Sequence, residues 1–357
     1  SASADDGDGA RSRALAFRLI DKRGARTGFG GFTGLGPQQP SKRRLSSTGQ
    51  GALAGLEDLL ASRREPFVLA ADEVAALMAT GRFDDTAHLL AELTANTSHL
   101  SLPPISNFHV SSAALGKSGR VYVGVNIEFH GLPLPCSLHA EQFLIMNALQ
   151  HGESELAEMC ISHVPCGHCR QFMCELFHSE AMRIRILGKE GQSFTIPELL
   201  PLRFTPRDLI GDEARFLFEH IDNGLVWSAD SKAALTDASS SSKVVAEMAE
   251  RALREANLSY APYSNCPSGL CLLGQGGALY SGCLVESAAY NPSVSPLHSA
   301  LVNGLVNGLG DWGQLRHVML AEPVGACVKH EHLIRECLKH ICPQVKYTVL
   351  YTEKGSH

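Results

Sequence analysis

The residues best suited to chemistry are His139, Glu141, Cys166 and Cys169, in the strings His139-Ala140-Glu141 and Pro165-Cys166-Gly167-His168-Cys169. One imidazole and two thiols form the donor set of a catalytic zinc site with its fourth position open. A structural site would normally be closed by a fourth protein ligand. Cys166 and Cys169 are three apart, so on a helix both sulfurs lie on one face of the first turn. Pro165 suits a helix start, where its missing N–H costs nothing. His139 and Glu141 are two apart and do not share a helix face, so both reach one point only if it lies off the helix end. His139 opens the run LHAEQFLIMNAL, which makes an end-on site the expectation. Two helix N-termini then converge on the metal, and their positive ends favour thiolates.

His139, Cys166 and Cys169 are therefore the expected ligands of one catalytic Zn²⁺ per chain, with Zn–S of about 2.3 Å and Zn–N of about 2.0 Å. Water in the fourth place is deprotonated near neutral pH. Glu141, close to the metal but not bound to it, is the expected proton carrier. Two thiolates and a neutral imidazole cancel the metal charge, so the hydroxide is electron-rich and suited to attack on an electron-poor ring carbon. A Cys-x-x-Cys pair alone would equally suit a structural zinc knot or two buried free thiols. The upstream His-Ala-Glu turns the reading toward a zinc hydrolase, and a thioredoxin-like redox pair has no use for it. The combination of H-x-E with P-C-x-x-C is the recurring signature of zinc deaminases.

On HAEQ, PCGHCRQFM and the preceding NIEF, the chain resembles the cytidine deaminases, specifically their dimeric class with a duplicated chain. The resemblance runs from about Pro66 to Tyr351 and leaves out the first sixty-odd residues. It implies hydrolytic deamination of cytidine and deoxycytidine to uridine or deoxyuridine and ammonia, in pyrimidine salvage. It also implies a homodimer whose partner subunit completes each active site.

Subtracting 158 from positions in the second half makes residues recur. Ser264-Asn265 answers Ser106-Asn107, Gly274 answers Gly116, Gly282 answers Gly124, and Glu286 answers Glu128. Pro323, Gly325 and Cys327 answer Pro165, Gly167 and Cys169 at the same offset. A constant offset over such a span signals internal duplication. In the second copy Val324 stands for Cys166, Leu297 for His139 and Ser299 for Glu141, with His298 one step away. The second copy is thus expected to have lost its zinc site, and His298 is expected not to be a ligand.

The elements that must position these residues follow from pattern. Residues 1–62 read as a disordered tail, poor in large apolar residues. The excess of Lys and Arg from Gly9 to Gln50 resembles a transit segment, but Asp5, Asp6 and Asp8 weaken that reading, and a solvated tail is the simpler one. Residues 63–96 read as a helical module, with helices over Ala70–Thr80 and Phe83–Ala95. Residues 97–205 form the expected catalytic domain, with strands at Phe108–Ala114, Val121–Val125, Cys160–Val164 and Arg183–Leu187. Residues 206–242 read as a linker, with ADSKAALTDASSSS as its clearest stretch. Residues 243–357 form the degenerate copy, opening on a helix from Lys243 to Asn257. The expected fold class is α/β, with two tandem cytidine-deaminase-like α/β/α sandwich domains, each a mixed sheet with helices on both faces.

Around the metal, Phe108 offers an aromatic face for a base. Asn126 and Glu128 are two apart on an expected strand and point to one face, where an amide and a carboxylate suit vicinal hydroxyls. They would equally serve as a satisfied strand pair. In the resembled family the matching residues bind ring and ribose, and the Ala140 N–H and Val164 carbonyl would read the base edge. From the partner subunit, the resemblance brings Phe204 of the linker and Ala289 and Tyr290 of a second-domain loop. His168, His330 and His332 are expected at the surface.

Composition narrows the classes. A net charge of −6 argues against stable nucleic-acid binding, which counts against a polynucleotide cytosine deaminase. No apolar run is long enough to span a bilayer. Eleven cysteines without a disulfide framework suit a reducing compartment, so the cytosol is the expected location. A non-catalytic zinc-stabilised interaction protein would have no need of Glu141.

Overall fold

The computed structural model describes residues 66–239 and 242–355. The expectations for residues 1–62 lie outside them. Two five-stranded mixed sheets organise the chain. The first contains β1 (Val68–Leu69), β2 (Ser111–Gly116), β3 (Val121–Val125), β4 (Leu156–Ile161) and β5 (Arg183–Ile186), in the order β1-β3-β2-β4-β5. The second contains β6 (Leu225–Trp227), β7 (Gly269–Gly274), β8 (Leu279–Cys283), β9 (Leu315–Pro323) and β10 (Lys346–Lys354), in the order β6-β10-β9-β7-β8. In each sheet only the pair β4–β5 or β9–β10 is parallel.

Reading the second order backwards superposes β8-β7-β9-β10 on β3-β2-β4-β5. The fifth strand then lies on opposite edges, β1 beside β3 and β6 beside β10. The copies are the same four-stranded frame with different edge cover, and covering an edge limits unwanted strand pairing.

The helices are α1 (Ala71–Ala79), α2 (Thr86–Thr97), α3 (Ala140–Gln150), α4 (Gly167–Met173), α5 (Ile196–Leu199), α6 (Pro206–Ile210), α7 (Ala229–Ser239), α8 (Lys243–Asn257), α9 (Pro296–Val306) and α10 (Glu331–Ile341). Asp85 caps α2 by accepting the His88 N–H at 2.8 Å, which places its start three residues later than the apolar stripe suggests. Ser111 donates to the Thr94 carbonyl of α2 (2.6 Å), and its neighbour Ser112 donates to the Ala140 carbonyl of α3 (3.0 Å). Adjacent strand residues point to opposite faces, so α2 and α3 cover opposite faces of the first sheet. The second sheet repeats this with α8 and α9.

Gly124 and Gly282 make the inner faces possible. A Cβ on Gly124 would lie 2.3 Å from the Ala140 carbonyl oxygen, and one on Gly282 would lie 2.2 Å from the Ala300 nitrogen. Without a side chain each strand lets its helix rest on the backbone. Helices α3 and α9 then pack against each other between the sheets, and the largest apolar cluster runs through both sheets, from Phe67 and Phe143 to Leu301 and Leu338. A smaller cluster under α8, including Met248, Ala252 and Met319, lies on the outer face of the second sheet.

Several expectations change. The segment 63–96 supplies β1, α1 and α2 to the first sheet, and its Phe67, Leu89, Leu90 and Leu93 lie in the common core. The segment 206–242, expected as a linker, carries α6, β6 and α7. Strand β2 begins at Ser111 rather than Phe108, because the Asn126 side chain takes over the pairing. Its Oδ1 accepts the Val110 N–H (2.9 Å) and its Nδ2 donates to the Phe108 carbonyl (2.9 Å). Strand β4 ends at Ile161, so Val164 lies in the loop before α4.

The duplication is real but its offset is not constant. The bridges Ile127↔Leu138 and Val285↔Val294 close hairpins of 138 − 127 = 11 and 294 − 285 = 9 steps, so the second is two residues shorter. On the following helix the offset is therefore 156. The N-cap His139 of α3 corresponds to Ser295, the N-cap of α9, and Glu141 corresponds to Leu297, not Ser299. His298 corresponds to Gln142. Pairing of Ser112 with Ile161 and of Leu270 with Leu320 sets the offset at 320 − 161 = 159 on β9. The next helices have N-caps Cys166 and His330, an offset of 164. Pro323 to Cys327 thus occupy the end of β9 and a lengthened turn, and Cys327 does not occupy the position of Cys169 on a helix.

Candidate active site

Each ligand sits where the backbone changes character. His139 is the N-cap of α3 in extended conformation, and its N–H donates to Gln142 Oε1 (3.2 Å). Cys166 is the N-cap of α4 and Cys169 its third residue, so Pro165 precedes the cap instead of opening the helix. Arg170 locks this turn by donating from Nε to the Pro165 carbonyl (2.8 Å) and from Nη1 to the Leu199 carbonyl (2.7 Å).

His139 Nδ1 lies 3.4 Å from Cys166 Sγ and 3.3 Å from Cys169 Sγ. Zinc bonds of about 2.0 Å to nitrogen and 2.3 Å to sulfur at a tetrahedral angle put N and S about 3.5 Å apart. The three donors therefore fit zinc in identity and spacing. Among the described residues this is the single group of three or more such side chains within metal-binding distance of one another. The second sheet offers Ser295 and the turn before α10 in its place.

The electrostatics suit a cation. The hydrogen bond from Cys169, with His139 beside it, draws the Cys166 pKa down to about 3 against the effect of burial. The same hydrogen bond, together with burial and nearby Glu141, holds Cys169 well above its ordinary value. The pair therefore favours a thiolate at Cys166, and the remaining proton leaves when a metal binds. The Cys166 hydrogen bond raises His139. Glu141 is 4% exposed. Burial pushes its carboxyl pKa up, against its own backbone N–H and the Cys169 thiol, which favours a group able to hold and release a proton.

A cavity of about 420 Å³ opens on this group, within the size range of small-molecule sites. It is lined by His139, Glu141 and Cys166 together with Phe108, Asn126, Glu128, Ala140 and Val164. The structure thus brings every one of these expected residues of the chain to one space, while Cys169 is buried and does not line it. Ala140 is the first residue of α3, and its N–H has no acceptor within the helix. Glu128 accepts from the Ile105 N–H and Ser106 N–H (both 2.9 Å) and from the Ser106 hydroxyl (2.5 Å). Burial raises its pKa, but these donors outweigh it and leave the carboxylate below its ordinary value. Asn126 and Glu128 therefore brace the loop carrying Phe108, and each keeps lone pairs or an N–H for a ligand.

Phe204, Ala289 and Tyr290 do not line this cavity. Phe204 and Tyr290 are exposed, and Tyr290 takes a positive φ of 62°.

Sequence reasoning missed His163, which lines the cavity and packs its ring 4.5 Å from that of Phe108. Its only signal was proximity to Pro165. Ser106, another lining residue, was visible only as part of the repeat. Two histidines expected at the surface are half-buried. His168 stacks on the His139 ring at 5.1 Å, and His330 caps α10 and donates its N–H to Glu322 Oε2 (3.0 Å). His332 is exposed.

Comparison with known proteins follows the same outline. Residues 83–185 and 196–335 each match the family described as the cytidine and deoxycytidylate deaminase zinc-binding region. The chain is 38% identical over 275 residues to "Cytidine deaminase 1" of Arabidopsis thaliana, covering 74% of this chain and 90% of that protein. It is 39% identical over 261 residues to "Cytidine deaminase" of Serratia proteamaculans, covering 73% and 82%. A second Arabidopsis thaliana protein, "Cytidine deaminase 6", is 37% identical over 275 residues, covering 74% and 92%.

Proposed function

We infer the reaction from one premise: this chain belongs to the cytidine deaminase family. We read it as the hydrolytic deamination of cytidine and deoxycytidine to uridine or deoxyuridine and ammonia. The observation that carries this reading is one cavity lined by His139 and Cys166 of the metal-binding group, the buried acid Glu141 and the polar pair Asn126 and Glu128, with Cys169 of the same group buried beside them.

When bound, zinc supplies the Lewis acidity that makes water a nucleophile toward the ring carbon bearing the amine. His139, Cys166 and Cys169 hold the metal. Glu141 protonates the neighbouring ring nitrogen, then carries the proton taken from water to the departing amine. Phe108 stacks on the base, with His163 behind it. The Ala140 N–H and the Val164 carbonyl read the base edge. Asn126 and Glu128 take the sugar hydroxyls while bracing the Phe108 loop.

A homodimer is part of this reading. Phe204, Ala289 and Tyr290 are offered to the pocket of a second copy, and the second sheet unit serves as scaffold. The cytosol fits eleven free cysteines, since disulfides are rare in reducing compartments. No helix among the described residues is long and apolar enough to cross a membrane. A polynucleotide substrate is the weaker reading, because no Lys or Arg lines the cavity and strand-binding grooves are basic.

The test is Glu141→Ala. We expect unchanged zinc content and ammonia release from cytidine reduced by about 10²–10⁴-fold, the usual range for lost general acid–base catalysis. Normal release by a zinc-loaded variant would overturn the mechanism. Side-by-side assays of cytidine, deoxycytidine, single-stranded DNA and adenosine assign the substrate. Light scattering tests the dimer, and a fully active monomer would exclude a pocket completed by a partner.

A further inference from the structure

All eleven cysteines are free, and two of them, Cys166 and Cys327, are exposed. Cys166 belongs to the metal group. Cys327 lies in the lengthened turn between β9 and α10, far from that group in sequence, and it faces another thiol. Cys327 Sγ is 3.6 Å from the Sγ of Cys266, and both sulfurs lie beside the Ser264 carbonyl oxygen, at 3.8 and 3.4 Å.

The two partners differ in freedom. Cys266 is 3% exposed, and its N–H donates to Ser264 Oγ (3.0 Å). Ser264 is in turn held by Glu286 through its own N–H and hydroxyl. The turn carrying Cys327 has exposed Val324 and Val328 on either side and bends at Gly325, with φ of 68°. In the first sheet the connection runs 166 − 161 = 5 steps from Ile161 to the N-cap, and here it runs 330 − 320 = 10 from Leu320, the position equivalent to Ile161 by strand pairing. The extra residues provide slack at the position where the zinc turn stands in the first copy. A disulfide needs the sulfurs at about 2.05 Å, and only the exposed turn has to move.

We propose that Cys266 and Cys327 form a reversible redox site, closing to a disulfide by exchange with a low-molecular-weight disulfide such as oxidised glutathione. The exposed Cys327 thiolate attacks one glutathione sulfur, forming a mixed disulfide and releasing one glutathione. Cys266 then attacks Cys327 Sγ and expels the second glutathione. Two electrons pass from the cysteine pair to the small disulfide, and the two thiol protons end on the two released thiols. Excess reduced thiol reverses both steps. The contact with Cys266 holds Cys327 above the ordinary thiol pKa, so closure quickens as pH rises above neutral.

The zinc-loaded full chain is incubated with oxidised glutathione, then thiols are counted and the intact mass and peptide map are read. We expect the loss of two titratable thiols, a mass lower by two hydrogens, and a peptide joined through Cys266 and Cys327. Dithiothreitol should restore the starting state. The bond would join residues 61 apart in sequence, so the unfolding midpoint should rise by several degrees. Cys327→Ser should lose all of these effects, and Cys266→Ser should stop at a mixed glutathione adduct on Cys327. Persistence of the two-thiol loss in Cys327→Ser, or a stable adduct on Cys327 in the unsubstituted chain, would overturn the proposal.

Discussion

The imidazole of His298 donates from Nε2 to the carbonyl of Cys136 across 2.7 Å. A carbonyl only accepts, which assigns the proton to Nε2, and Nδ1 faces the Ser295 hydroxyl at 2.7 Å. The pseudo-equivalent contact runs the other way: Gln142 donates from Nε2 to the Pro292 carbonyl at 2.8 Å. The offset of 156 maps Gln142 onto His298 and Cys136 onto Pro292, so the two copies are stitched by a reciprocal pair. His298, which by sequence stood beside a lost zinc ligand, is one of the residues that join the domains.

Substitutions at His298 should separate shape from chemistry. His298→Gln restores the amide used at Gln142 and should change stability by less than about 0.5 kcal/mol. His298→Ala orphans the Cys136 carbonyl and should cost about 1–3 kcal/mol. Burial holds His298 below its ordinary pKa. A depressed histidine contributes stability fully above its unfolded value of about 6.5 and loses it as pH falls through the lower folded value. Unfolding free energies by urea titration should therefore show His298→Gln gaining on the unsubstituted protein as pH drops below about 6.5.

Gly124→Ala should damage the active site from behind. The new Cβ would meet the Ala140 carbonyl oxygen at 2.3 Å and Leu144 Cβ at 2.6 Å. Helix α3 must shift, and with it His139 and Glu141. Overpacking of this kind costs about 1–3 kcal/mol or more. A lower unfolding midpoint together with weaker zinc retention is the expected result, and normal zinc content would contradict the coupling.

Glu128→Gln should raise KM for cytidine more than it lowers kcat, because in this reading the carboxylate serves binding and not proton transfer. The Ser106 hydroxyl contact weakens as well, so the loop itself is perturbed. A nucleoside lacking both sugar hydroxyls distinguishes the two effects. With that substrate the variant and the parent should converge if the sugar contact dominates, and a persisting deficit would assign the loss to the loop.

Metal removal should report on stability as well as activity. Dialysis against a strong chelator should abolish ammonia release and lower the unfolding midpoint, since a ligand bound only by the folded state stabilises it. Added zinc should restore both. His139→Ala should show the lower midpoint without chelator and no response to zinc.

The donor set, its spacing and the neighbouring acid were legible in the residues alone. Ligand chemistry is specified by residue type, and a three-residue separation on a helix turn leaves little geometric freedom. The sandwich fold, the duplication and the cavity residues Phe108, Asn126, Glu128, Ala140 and Val164 could also be anticipated, by alternation, by repeat and by family resemblance. Tertiary structure decided what depends on distant partners. The side chain of Asn126 displaced the start of β2, and β1 and β6 were too short to be seen in a pattern. A hairpin two residues shorter moved Ser295, not Leu297, onto the position of His139. A constant offset cannot register such changes, because insertions and deletions fall in loops while pairing preserves the strands. The roles of His298, His163 and Cys327 were likewise set by contacts with Cys136, Phe108 and Cys266, which linear spacing does not encode.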